Sequence, residues 1–295
     1  EWDSDATGAT STRATIVANA PTATRQTLVS TPDRHLVFFG TETTIGTTST
    51  QDDMFIRWSD QESIDASTSY APSATNTAGT QRLADGTRII AAIRGRDAIY
   101  VWTDHALFIM RFVGAPFVFS FQQVGTGCGL IGKNAAVEVD GSAYWMSENG
   151  FFRYTGKLES LACLVEDYVF DDINTVPRNH IFAGLNNLFG EVTWFYPGSG
   201  AASNNRSVTY NYMDSTAERP VWTTSTLARS SWSDSHVFGK PHGTEYDSDA
   251  TSDSTVGNTD GVSIYYEHET GNNQIKAGSA SAIAASIESG DFDIS

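Results

Sequence analysis

Between residues 87 and 163 the chain carries the same pattern twice: four short apolar or aromatic runs separated by Gly, Asp and Asn. The first half reads TRIIAAIRGRDAIYVWTDHALFIMRFVGAPFVFSFQQVG and the second GCGLIGKNAAVEVDGSAYWMSENGFFRYTGKLESLAC. Runs this short, rich in β-branched and aromatic residues and punctuated by turn formers, predict consecutive antiparallel strands. Strands are expected over 88–93, 98–103, 106–113 and 117–124, with turns at Gly95-Arg96-Asp97, Asp104-His105 and Gly114-Ala115-Pro116. In the second unit they are expected over 135–139, 143–146, 150–154 and 159–161, turning at Asp140-Gly141 and Glu148-Asn149. Asp-Gly between apolar runs is a strong hairpin signal, because both residues tolerate positive φ.

Matching the second strands sets Ala98 in register with Ser142, a period of 44 residues. Further steps reach strands over 190–196 and 207–212, then 235–239 and 261–267, and backward steps reach 35–40 and 54–58. A repeated four-stranded unit of about 40–50 residues is the signature of a β-propeller blade. One blade cannot bury both of its faces, so blades stabilise each other by packing around a common axis. The expectation is an all-β propeller of four-stranded antiparallel blades, about five of them visible and six when closed. An insertion between Asp60 and Arg82 is needed to hold the period.

Composition agrees with that class. Aromatic residues make up 12% of the 295 residues, Thr and Ser are abundant and long helical windows are nearly absent. A net charge of −17 argues against a phosphate-gripping surface, since nonspecific nucleic-acid affinity comes mainly from Lys and Arg. It permits a passage through which DNA slides without sticking, and solubility accounts for it equally well. Cys128 and Cys163 are the only cysteines, which excludes a disulfide framework and a four-cysteine zinc site. No stretch is apolar enough over the length needed to span a bilayer.

Three regions are expected: a polar connector or closing strand over 1–30, the propeller over 31–276, and the start of a further β region over 277–295. In the first, only 14–17 resembles a strand. Residues 63–86 read as an exposed insertion at a blade edge, and 164–174 as a helical linker with Val165, Tyr168, Val169 and Ile173 on its apolar face. The chain begins without Met and ends within strand-like sequence, so both ends are expected to be cut.

Five sets of residues suggest chemistry. Gly127, Gly129 and Gly132 fit the dinucleotide spacing G-x-G-x-x-G, yet the sequence after them alternates like a strand, whereas the motif requires a helix. A glycine-rich crossing between blades is the favoured reading. Asp247, Asp249, Asp253 and Asp260 offer oxygen ligands for calcium but miss the EF-hand spacing. Glu166, Asp167, Asp171 and Asp172 are candidate paired carboxylates for glycoside hydrolysis, or simply the wet face of the linker helix. His35, His105, His180, His236, His242 and His268 are scattered, none beside a nucleophile signature. Trp58, Trp102, Trp145 and Trp194 could form a carbohydrate platform, but a recurring strand aromatic reads better as inter-blade core. No catalytic, cofactor-binding or metal-binding residue is assigned.

The run from TRIIAAIRGRDAIYVWTDHALFIMRFVG through FSFQQVGTGCGLIGKNAAVEVDGSAYWMSENGFFRYTG to VEDYVFDDIN and TWFYPG resembles the tail-tip, nozzle and packaged-DNA stabilisation proteins of short-tailed bacteriophages. The closing IESGDFDI resembles the point where such proteins enter a further β region. The resemblance is densest over 82–198 and rests on structural motifs. It implies a non-enzymatic virion protein of the tail, made in the host cytoplasm. Such a subunit forms a ring, commonly a homohexamer, contacts an adaptor protein and tail fibres or spikes, retains packaged DNA and lets it pass through the lumen at ejection. The alternative is a carbohydrate-binding or glycoside-hydrolysing propeller acting on host surface glycans, although the S-x-D-x-G-x-T-W turns of sialidase-like propellers are missing from the sequence.

Overall fold

The structure, a computed structural model, describes residues 17, 19–31, 33–64, 67–234, 239–247, 262–269, 273–276 and 279–282. The fold is all-β, built from antiparallel meanders laid down in chain order. The first sheet holds β1 (Gln26–Ser30), β2 (His35–Phe39), β3 (Phe55–Trp58) and β4 (Gly79–Arg82). The second holds β5 (Ile89–Arg94), β6 (Ile99–Thr103), β7 (Ala106–Gly114) and β8 (Val118–Thr126). The third holds β9 (Ala136–Val139), β10 (Ser142–Ser147), β11 (Gly150–Tyr154) and β12 (Leu158–Leu161). After a short helix α1 (Glu166–Asp172), the fourth holds β13 (Phe182–Asn186), β14 (Glu191–Tyr196), β15 (Arg206–Asn211) and β16 (Trp222–Ser225). Three strands of a fifth follow, β17 (Ser231–Ser233), β18 (His242–Asp247) and β19 (Val262–Glu267), and then a pair, β20 (Asn273–Lys276) and β21 (Ser279–Ala282).

The first strands of successive sheets lie side by side: β1 against β5, β5 against β9, β9 against β13 and β13 against β17. A parallel bridge between Asn134 and Phe182 shows that neighbouring first strands start at the same end. The sheets are therefore propeller-like blades with the first strand innermost. In such a meander the turns between strands one and two, and three and four, fall at one end of every blade. Blade-to-blade crossings and the turns between strands two and three fall at the other.

Tryptophans fill the gaps between blades. In three successive blades the inner strand places alanine opposite the indole: Ala91 pairs with Trp102, Ala136 with Trp145 and Ala183 with Trp194. The small partner leaves room for the ring, and all three indoles are fully buried. Trp102 meets Trp145 edge-on at 5.4 Å between centroids. Trp145 Nε1 donates to the Cys128 carbonyl at 2.8 Å, in the crossing into its own blade, and Trp194 Nε1 to the Ala135 carbonyl at 3.0 Å, at the start of the preceding blade, so both indoles tie a blade to a crossing. Trp145 stands 43 residues after Trp102, one fewer than the expected period. That slip matters, because a one-residue shift in a strand exchanges its two faces.

Trp58 does not share this position. It sits on the third strand of its blade, donates to the Thr77 carbonyl at 2.9 Å and packs edge-on against Phe119 of the next blade at 5.3 Å. Residues 63–86 are likewise not a plain exposed insertion. They supply the outer strand β4, and Tyr70 and Leu83 are buried. Arg57, itself 3% exposed, donates to the Tyr70 and Thr43 carbonyls at 2.9 Å each and so ties two long loops to the blade. A polar sequence hid this element because one buried arginine, rather than an apolar face, organises it. The helix α1 buries Val169, whereas Tyr168 is 55% exposed and Phe170 packs on Phe151 in its place. In the fifth blade the second strand is β18, several residues beyond the expected 235–239, of which 235–238 lie outside the described residues. Residues 14–16 and 283–295 also lie outside them.

Candidate functional site

Where the fourth and fifth blades meet on the crossing side, they enclose a cavity of about 500 Å³. Its wall is organised by Arg229, which the chain delivers just before β17 and which is only 5% exposed. The guanidinium lies 3.9 Å over the Tyr266 ring, and its Nη1 is 3.5 Å from Glu245 Oε2. Tyr266 Oη donates to the same carboxylate oxygen at 2.9 Å. Arg229 Nε donates to His268 Nε2 at 3.1 Å, which places the imidazole proton on Nδ1. Burial, then the charge of Arg229 and then that of His242, hold His268 down at about 4. Burial also lowers Arg229 from its ordinary value. Gly243 leaves room for this side chain, since a Cβ there would stand 2.8 Å from Arg229 Cδ.

The floor of the cavity is polar. Asn204, 9% exposed, donates through Nδ2 to the His180 and Arg229 carbonyls at 2.7 and 3.0 Å, and its Oδ1 has no partner. Trp232 Nε1 donates to the Leu185 carbonyl at 2.7 Å, its ring held close because Gly184 has no side chain. Asn134, Asn179 and Ser231 supply further donors and acceptors. Amides, hydroxyls and one indole suit a neutral, hydroxyl-rich ligand. Glu245 is the one carboxylate among the lining residues, and its charge is matched by Arg229. General acid and base catalysis of glycoside cleavage takes two carboxyl groups across the scissile bond.

The residues singled out in the sequence are dispersed. Gly127, Gly129 and Gly132 form the crossing from β8 to β9. A Cβ on Gly129 would run into the Asp104 carbonyl and one on Gly132 into the Arg178 carbonyl, and a strand follows rather than a helix. These glycines form the crossing that the sequence favoured, and close backbone approach accounts for them. Among the four acids of the linker, Asp172 bonds Arg206 Nε at 3.1 Å, while Asp167 and Asp171 face solvent. Asp247 ends β18, and Asp249, Asp253 and Asp260 lie outside the described residues. His35 is buried, with Nδ1 2.7 Å from the Ser59 carbonyl. His105 pairs with Asp85, His180 lies by the Ala202 carbonyl and His242 meets Tyr265. His236 lies outside the described residues. Trp58, Trp102, Trp145 and Trp194 are core residues and form no exposed platform.

Sequence reading missed Arg229, Glu245 and Asn204 altogether. They are polar residues in polar stretches, and only the closing of one blade on the next gathers them. Among the described residues no group of three or more His, Cys, Asp or Glu is placed to hold a metal, and no helix is long and apolar enough to cross a membrane. No protein-family model matches the chain, and no curated protein matches it.

Proposed function

We propose that this chain is a structural subunit of the tail of a short-tailed bacteriophage, forming a homohexameric ring at the distal tube that retains packaged DNA and opens for its passage. One observation carries the reading: the residues that bear the resemblance are spent on joining blades. Trp102, Trp145 and Trp194 lock each blade to the crossing or blade beside it, and Gly129 and Gly132 let crossings approach neighbouring backbone. A motif set devoted to packing suits a scaffold. The acidic balance of −17 suits a lumen along which DNA moves without being held. An adaptor ring and fibres or spikes are the neighbours such a subunit would have, and the virion tail its location. Cryo-electron microscopy of the intact particle tests this. Density for these blades in a sixfold ring about the distal tail axis is expected, and density confined to fibres or to the capsid surface would refute it.

A second reading, a carbohydrate-binding propeller acting on host surface glycans, is favoured by the cavity around Asn204, Trp232 and His180. A screen of host surface oligosaccharides by thermal melting tests it: a saturable rise in Tm that Asn204→Ala abolishes supports it, and no rise with any of them rejects it.

A further inference from the structure

A cation recurs just ahead of the first strand of each of the five blades that begin among the described residues with β1, β5, β9, β13 and β17: Arg25, Arg88, Lys133, Arg178 and Arg229. Inner strands lie side by side and start at the crossing end, so these positions are gathered around one mouth of the propeller axis. Four of them, Arg25, Arg88, Lys133 and Arg178, line a single cavity of about 300 Å³. In a chain with 18 Lys and Arg against 35 Asp and Glu, such a gathering is not an average surface.

The four are not equivalent. Arg25 is held by Asp53 through two contacts of 2.9 Å, and Arg178 reaches Glu148 at 2.7 Å. Arg88 and Lys133 are exposed and form no ion pair among the described residues. Asp104, which accepts the Arg88 backbone N–H, is also engaged by the Thr87 hydroxyl and backbone N–H. At the turn end the signs are mixed: Glu138, Asp140 and Asp234 line one cavity, but Arg96 joins Glu138 and Asp140 in a second, and Arg94 and Arg96 join Asp33 and Asp97 in a third. The crossing-side cavity, by contrast, has no Asp or Glu among its lining residues.

We propose that the crossing-side mouth is an oxyanion site that takes a phosphate group, with Arg88 and Lys133 as its direct ligands and the ion-paired Arg25 and Arg178 around it. Two free cations around one cavity match the charge of a phosphate dianion, and charge-assisted hydrogen bonds are the strong ones. The phosphate is either free or carried on a nucleic-acid strand running past this face; the second source rests on the tail reading.

Calorimetric titration of the full chain at low ionic strength, with inorganic phosphate and separately with a single-stranded oligothymidine, tests the site. Wild-type protein is expected to bind phosphate, and Arg88→Ala/Lys133→Ala to bind it at least about tenfold more weakly. Both side chains are exposed, so the double variant should fold, which far-ultraviolet circular dichroism verifies. Lys157→Ala/Arg219→Ala, which removes the same charge from distant turns, should bind like the wild type. Failure of the wild type to bind phosphate overturns the site, and so does equal loss in the two double variants. If oligothymidine binds more tightly than phosphate, loses affinity steeply with salt and depends on Arg88 and Lys133, the occupant is a strand. Phosphate binding without such an oligonucleotide effect supports a free-phosphate site, and the tail reading is then decided by particle density alone.

Discussion

Trp102 and Trp145 occupy equivalent places in adjacent blades, yet their indole N–H groups have opposite fates. Both are fully buried, and each faces an alanine on its inner strand. Trp145 Nε1 donates to the Cys128 carbonyl, whereas Trp102 Nε1 is buried with no partner. Replacing either by Phe removes the same part of the ring, at a shared cost of about 1–2 kcal/mol for lost burial and residual cavity. In Trp145→Phe the Cys128 carbonyl is left unpaired in the core, which adds about 1–3 kcal/mol. In Trp102→Phe an unpaired N–H is removed, which returns a similar amount. Trp145→Phe should therefore be the more destabilising of the two by at least about 2 kcal/mol, with Trp102→Phe near neutral. Urea unfolding of both variants, followed by far-ultraviolet circular dichroism, measures the difference. Equal losses, or a larger loss for Trp102→Phe, would show that the indole-to-crossing bond does not hold these blades together.

Gly129→Ala should destabilise by about 1–3 kcal/mol, because the added methyl meets the Asp104 backbone and neither segment can yield without moving a blade; a Tm equal to wild type would contradict this. Arg57→Ala, which frees the Tyr70, Thr43 and Glu42 carbonyls together, should cost more than about 2 kcal/mol and expose 41–54 and 60–78 to limited proteolysis. The folded pKa of His268, about 4, lies below its ordinary value near 6.5, so the folded state binds fewer protons than the unfolded one between those limits. That contribution is complete above pH 6.5 and is lost as pH falls toward 4, by about 1–2 kcal/mol after solvent screening. Urea midpoints of wild type and His268→Gln at several pH values should converge across that window, and a constant gap would refute the assignment. Burial, aided by the charge of Glu166, pushes the Cys163 thiol up to about 11, and Cys128 is fully buried. Both should react with a thiol reagent at pH 8 only after denaturation, and rapid labelling of the native chain would contradict that.

The blades were legible because their information is local. Asp140-Gly141 turns with both residues at positive φ, as that dipeptide favours, and the apolar runs around it alternate in the register found. The Trp–Ala pairing was present in the sequence, but its correct spacing of 43 required knowing which strand lay innermost. Both cavities were illegible for one physical reason. Arg229 meets Glu245 and His268 across loops, and Arg88 and Lys133 come to line one cavity only when two inner strands lie side by side. A propeller brings the starts of its inner strands together at one mouth, so a residue type repeated once per blade becomes a cluster although its members are 45 or more residues apart. Local pattern reading scores each such cation as a solvated surface charge. The topology gathers four of them around one cavity, where the chain's acidic excess is locally reversed.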